Sequence, residues 1–343
     1  MAITEKNEIR SNLLQCPLDN NYKLFFSLMD YLNNLFMSND PKDILRFYDY
    51  FDNRDQLIKW MKERPKGNYR IVEFNNDEND IIVVIPTMDV NGKFAKTCRD
   101  EIFKGLHIIF VESGIGNYYF NYAHNCNAGI KKAMEYNPKW IVVSNDDMYK
   151  IDDVSILIKE LNNLNTIKTD VVFIQPFGNH TYIRIIGLKR IFIYETIIKL
   201  YWINKKMSFV YKILKFTNKK FNIKICWIDS KYTISRFFIK KRKYILMFGD
   251  FLIINSNFIK NNQINIFDEI YINAHEDMDF SYKFIKNKIN TKFINFKIGS
   301  LGGMSLGKNY VRQLRYAPGD VYFQYKYESD FSESPKINIY RSK

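Results

Sequence analysis

The chain predicts an α/β fold: a Rossmann-like, mostly parallel, doubly wound sheet, with a helical element before it and a basic insertion within it. Three observations carry that reading. Apolar runs of strand length, such as Ile81-Ile82-Val83-Val84-Ile85 and Trp140-Ile141-Val142-Val143, suit strands covered on both faces. Helical stretches alternate with those runs, as the crossovers between parallel strands require. Finally, Ser144-Asn145-Asp146-Asp147, with two adjacent acids, directly follows one of the runs, where open α/β sheets place their ligands.

Residues 1 to about 75 read as the helical element. Leu24, Phe25, Leu28, Leu32 and Leu35 recur at helical spacing. Asp40-Pro41 offers an N-cap and a proline for the first helical position. The periodicity of 43–64 then predicts one helix, stopped by Pro65-Lys66-Gly67.

Residues 76–310 read as the main domain. After the first strand come a helix over 92–104, a strand over 106–112, a helix over 119–136 and a strand over 140–144. Asp152-Asp153 caps a further helix, and 171–174 is a fourth strand. The pattern breaks near residue 179 and resumes near Tyr244. There 245–248 and 251–254 read as strand, a helix starts near Glu276, and 292–298 is the last strand. A loop over 299–305 closes the domain, and 311–343 reads as a polar, irregular tail.

The net charge of +14 is concentrated in one place. Residues 180–243 hold 17 Lys and Arg against two acids, Glu195 and Asp229. That segment carries +15, so the other 279 residues sum to about −1. The four cysteines, Cys16, Cys98, Cys126 and Cys226, form no CxxC pair and read as reduced thiols, which argues against a zinc site. No uncharged run reaches ~18 residues, so no membrane span is predicted. The N-terminus lacks the apolar core of a secretory signal, so a cytoplasmic location is expected.

Val84-Ile85-Pro86-Thr87, Asn127-Ala128-Gly129-Ile130, Asn145-Asp146-Asp147, and Phe267-Asp268-Glu269 followed by His275-Glu276-Asp277-Met278-Asp279-Phe280 occur in that order. In order and spacing they resemble the motifs of the family 2 glycosyltransferases with the GT-A fold. The resemblance covers about 80–178 and 244–307. It implies an inverting transfer of a sugar from a nucleotide-diphosphate sugar to a hydroxyl acceptor, a glycan or a lipid-linked one.

The resemblance also implies roles. Asp147 would hold Mg²⁺ or Mn²⁺ against the diphosphate, and Asp146 would hold the ribose or assist the ion. Asp277, with Glu276 as runner-up, would be the base that takes the acceptor proton. Pro86, Thr87, Glu112, Asn127 and Asn145 would line the nucleotide-sugar side, and Gly249 and Asp250 the acceptor side. The chain departs from the pattern at Asn145, in place of the first acid of Asp-x-Asp, at Cys126, and in a closing loop without His. One charge fewer weakens metal affinity, so strict metal dependence stays open.

Other residues have plainer readings. Asp279 and Lys283, spaced i,i+4, suggest a surface pair. His107 reads as structural, His124 as a possible nucleotide neighbour, and His275 as a group that could orient a carboxylate. The insertion interleaves its cations with Phe192, Tyr201, Trp202, Phe209, Phe221 and Trp227. That composition suits peripheral docking on an anionic membrane, while nucleic acid is a weaker expectation. Two alternatives remain open: a nucleotidyltransferase on a similar sheet, and a glycosyltransferase-like protein that has lost activity and binds a surface.

Overall fold

The computed structural model describes residues 18–75, 80–174, 250–262, 265–287, 289–301 and 309–327. The insertion at 180–243, the strand expected at 245–248, Gly249, the loop residues 302–305 and the tail beyond 327 lie outside the described residues.

The N-terminal element comprises α1 (Leu18–Met37), α2 (Pro41–Asp49) and α3 (Arg54–Glu63). The Asp40 carboxylate accepts from the Lys42 amide at 2.8 Å, and Pro41 fills a position whose N–H would have no helical partner. The single helix expected over 43–64 is in fact two, α2 and α3. Asn53 accounts for the break: its side chain accepts from the Gln56 amide at 3.0 Å and starts α3 afresh. Phe36, Phe47, Phe51 and Trp60 form the core of this element, with the Phe47 and Trp60 rings 4.7 Å apart.

Strands β1 (Arg70–Phe74), β2 (Ile81–Thr87), β3 (His107–Glu112), β4 (Trp140–Ser144), β6 (Val171–Phe173), β7 (Phe251–Asn255) and β8 (Thr291–Phe293) make one seven-stranded sheet, in the order β1-β3-β2-β4-β7-β6-β8. Strands β3, β2 and β4 are parallel, as expected. The sheet is nevertheless mixed: the edge strand β1 runs antiparallel to β3, and the interior strand β7 runs antiparallel to both β4 and β6. Every residue of β2, β3, β4 and β7 is buried, which explains their unbroken apolar runs.

The connections α4 (Lys93–Thr97, continuing as a π turn over Cys98–Ile102), α5 (Tyr122–Met134), α6 (Val154–Asn162), α7 (Ser256–Asn262) and α8 (Glu276–Asn287) complete the α/β architecture. Gly129 sets how closely α5 sits on the sheet: a Cβ there would lie 2.3 Å from Val84 Cγ1 and 2.8 Å from Val111 Cγ2.

The strand expected over 292–298 is divided. Its first part is β8, while β9 (Ile298–Ser300) pairs antiparallel with β5 (Met148–Lys150) in a separate two-stranded sheet. Carboxylates capture the backbone between them. The Asn295 amide donates to Glu160 and the Lys297 amide to Asp152, both at 2.8 Å.

The irregular tail expected from 311 is also corrected. Residues Asn309–Lys326 form an 18-residue helix, α9. Pro318 and Gly319 argue against a helix in sequence, but each has a local compensation. Pro318 cannot donate to the carbonyl four residues back, and that carbonyl, on Leu314, accepts the Tyr48 hydroxyl at 2.5 Å. Gly319 lies against His275, where a Cβ would be 2.6 Å from Nδ1.

Candidate active site

Strand order reverses at β2: the chain goes from β2 to β3 on one side, then crosses to β4 on the other. The crevice at the carboxyl ends of β2 and β4 is therefore the switch point where such sheets take ligands. Pro86 and Thr87 end β2, and Asn145-Asp146-Asp147 follow β4. The Thr87 hydroxyl crosses the crevice and donates to Asp146 Oδ2 at 2.7 Å.

Asn145 fixes the neighbouring strand and the neighbouring acid. Its amide N–H donates to the Asp250 carbonyl at 2.9 Å, and its side chain donates to the Asp147 carboxylate. Where the resembled motif has a second carboxylate, this chain places a neutral donor. Asp147 is 6% exposed, and its Oδ1 is buried with no hydrogen-bond partner. Burial, then the charge of Asp250, pushes the Asp147 carboxyl above the usual carboxylate range. Asp146 is raised by burial and by Asp147, against the opposing Thr87 hydrogen bond.

The charge of Asp250 acts on both acidic motifs, since it also raises Asp277. Burial raises its own carboxyl, while the Ser300 hydrogen bond and the Arg312 charge oppose that rise. At the start of α8, Glu276 is buried, with Oε2 unpartnered, and Asp277 is half-buried. Both carboxyls are raised, mainly by burial, and each proton depends on the other. The charge of Asp250 thus reaches Asp147, 103 residues earlier in the chain, as well as Asp277, 27 residues later. A carboxylate raised towards neutral pH suits proton abstraction.

Four residues of α9 complete the surroundings, and sequence reasoning missed them all. Arg312 donates to the Tyr316 hydroxyl at 3.0 Å and opposes the charge of Asp250. Tyr316 is raised by burial, and Asp277 and Glu276 add to that rise. Asp320 accepts from His275 at 2.8 Å. Lys326 bridges Asp268 at 2.6 Å and Asp279 at 2.8 Å. Asp279 does pair with Lys283, at 3.2 Å, but it is fully buried and also accepts from the Tyr327 hydroxyl at 2.7 Å, which corrects only the surface part of that reading. The available signal was the helical spacing of Arg312, Tyr316 and Asp320, interrupted for the reader by Pro318-Gly319.

Two residues expected on the nucleotide side are engaged by protein. Asn127 donates to the Phe267 carbonyl and to Glu269 Oε1, and it accepts from the Phe267 amide at 3.1 Å. It staples α5 to the loop before α8. Glu112 is ion-paired with Arg70, its cross-strand neighbour on β1, and accepts from the Val90 amide at 3.1 Å. The Arg70 hydrogen bond holds the Glu112 carboxyl low. His124 bonds Glu269 at 2.8 Å, and His107 is buried against Glu73, in keeping with a structural role for His107.

Among the described residues, no group of three or more His, Cys, Asp or Glu is spaced to hold a metal ion by itself. Nor is any described helix long and apolar enough to cross a membrane. Comparison with models of known families and with curated proteins finds no match.

Proposed function

We propose that the protein is an inverting glycosyltransferase of the GT-A type, moving a sugar from a nucleotide-diphosphate sugar to a hydroxyl acceptor. The observation that carries this reading is the placement of Asp146 and Asp147 at the switch point of the sheet, where Thr87 binds Asp146, with the charge of Asp250 acting on both Asp147 and Asp277. A donor-side and an acceptor-side carboxylate are what a single displacement at a sugar carbon needs. Asp277 takes the proton of the attacking hydroxyl, and Glu276 beside it keeps that carboxyl basic enough to do so. Asp146, held by Thr87, lines the crevice where the donor would lie.

A divalent ion fits the residues present. The unpartnered Oδ1 of Asp147 is a hard oxygen donor, and Mg²⁺ is commonly held by one or two carboxylates plus substrate phosphates. When bound, such an ion neutralises charge on the diphosphate leaving group. Asp147 would hold it. The neutral Asn145 beside Asp147 lowers the charge available to the ion, which favours binding together with the diphosphate over binding alone.

The test is a melting-temperature panel of UDP, GDP, dTDP and CDP, each with and without Mn²⁺, followed by turnover of the matching nucleotide sugars. A ligand that binds only the folded state raises the melting temperature. The expected outcome is one nucleotide whose effect grows with Mn²⁺. No shift with any nucleotide, and no sugar transfer, would sink the reading.

A further inference from the structure

We propose that His275, held by Asp320 of α9, is a positioning residue for the Asp277 carboxylate. The proposal rests on the glycosyl-transfer reading only for the chemistry assigned to Asp277. Its basis is the packing of one imidazole between two helices.

His275 is 4% exposed and has a left-handed backbone, with φ of 73°. A side chain other than glycine rarely adopts that conformation, so its surroundings must impose it. Its carbonyl accepts from the Asp279 amide at 2.9 Å, which makes it the residue that opens α8. Glu276 and Asp277 follow at once, so the setting of His275 fixes the direction of the first turn that carries them.

Three neighbouring residues of α9 define the place of the ring. Asp320 Oδ1 lies 2.8 Å from Nε2, which therefore carries the proton and donates. Gly319 leaves the space that the ring fills. Tyr316 meets it edge-on with centroids 5.7 Å apart. The titratable groups facing the imidazole are thus Asp320 and Tyr316 from α9 and Asp277 from α8. Burial works against the charged ring, but Asp320 and then Asp277 outweigh it and leave the imidazole raised. An imidazolium here favours the ionised form of Asp277, the form a base must have.

The experiment compares wild type with Asp320→Asn and Gly319→Ala, as full chains. Asparagine keeps the shape and removes the charge. Alanine improves the helix while pushing on the ring, so loss of folding is not the expected result of that variant. Both variants should bind the stabilising nucleotide as wild type does. Both should lose turnover, about tenfold to a hundredfold, as expected for a misplaced reacting group. In Asp320→Asn the acid limb of the kcat/KM profile should move to higher pH, because Asp277 loses the neighbouring positive charge. Wild-type turnover and an unmoved acid limb in both folded variants would overturn the proposal. If wild type transfers no sugar, the catalytic reading fails and the pair is read directly by carboxyl ¹³C NMR. Titration of Asp277 displaced upward by Asp320→Asn supports the coupling, and an unmoved titration overturns it.

Discussion

Asp147 retains a buried carboxylate oxygen that no protein group satisfies. Leaving such an atom unpaired costs about 1–3 kcal/mol or more. An incoming cation would relieve that cost, so Asp147→Ala should abolish the Mn²⁺-dependent part of any nucleotide-induced rise in melting temperature while preserving the fold. The neighbouring acids make a second prediction. Glu276 and Asp277 are raised in the folded state, so their contribution to stability is full below the ordinary carboxylate range and is lost as pH rises through their folded values. The ligand-free melting temperature should therefore rise as pH is lowered from neutral towards about 5. Asp277→Asn should flatten that rise and abolish turnover without loss of nucleotide binding; an unchanged slope in calorimetry would count against the buried acidic pair. These acids were legible in sequence because both motifs sit at element ends. The burial of Asp279 was not, since i,i+4 spacing says nothing about which face another helix covers. Nor did the sequence reveal that the amide of Asn127 is occupied by the backbone of Phe267.

At the scale of elements, β2, β4, α5 and α8 were readable because their patterns are local. An apolar run buried on both faces and a capped amphipathic helix leave direct traces in residue order. Helix α9 left a misleading one. Its Pro318 is tolerated because a side chain 266 residues away serves the freed carbonyl, a fact no local pattern contains. Tyr48→Phe should therefore destabilise the protein by about 1–3 kcal/mol, the cost of a buried carbonyl left unpaired. Equilibrium urea unfolding measures it, and a change below the error of that measurement would show that water reaches Leu314. Gly129→Ala makes a different case. Helix propensity favours alanine, but the added carbon meets Val84 and Val111. Overpacking of this kind costs about 1–3 kcal/mol, so the net effect should be destabilising. A gain in melting temperature would mean that α5 can lift from the sheet at little cost.

At the scale of the whole molecule, the charge divides the chain into a nearly neutral body and a segment of +15. We expect the full chain to co-sediment with anionic vesicles at low salt, and deletion of 180–243 to abolish this. Each basic residue near such a surface contributes about 1 kcal/mol, and salt screens the attraction. Binding that persists without the segment, or that is equal on neutral vesicles, would reject that role. The sheet class was legible at this scale, but its two antiparallel strands, β1 and β7, were not. Strand direction depends on connections, and the long one between β6 and β7 contains the insertion.

Arg315 donates to the carbonyls of Phe36, Met37 and Ser38, and Tyr48 serves Leu314, so the first helices and the last are partners. A ribosome delivers Tyr48 and Leu314 266 residues apart. Helices α1 and α2 emerge early, with a buried surface and a hydroxyl whose counterparts do not yet exist. They must wait for those 266 residues, and at ~5–20 residues per second that wait lasts tens of seconds. Nascent chains stalled before residue 309 would present this uncovered surface, and a chaperone that holds apolar helices would find its binding site there.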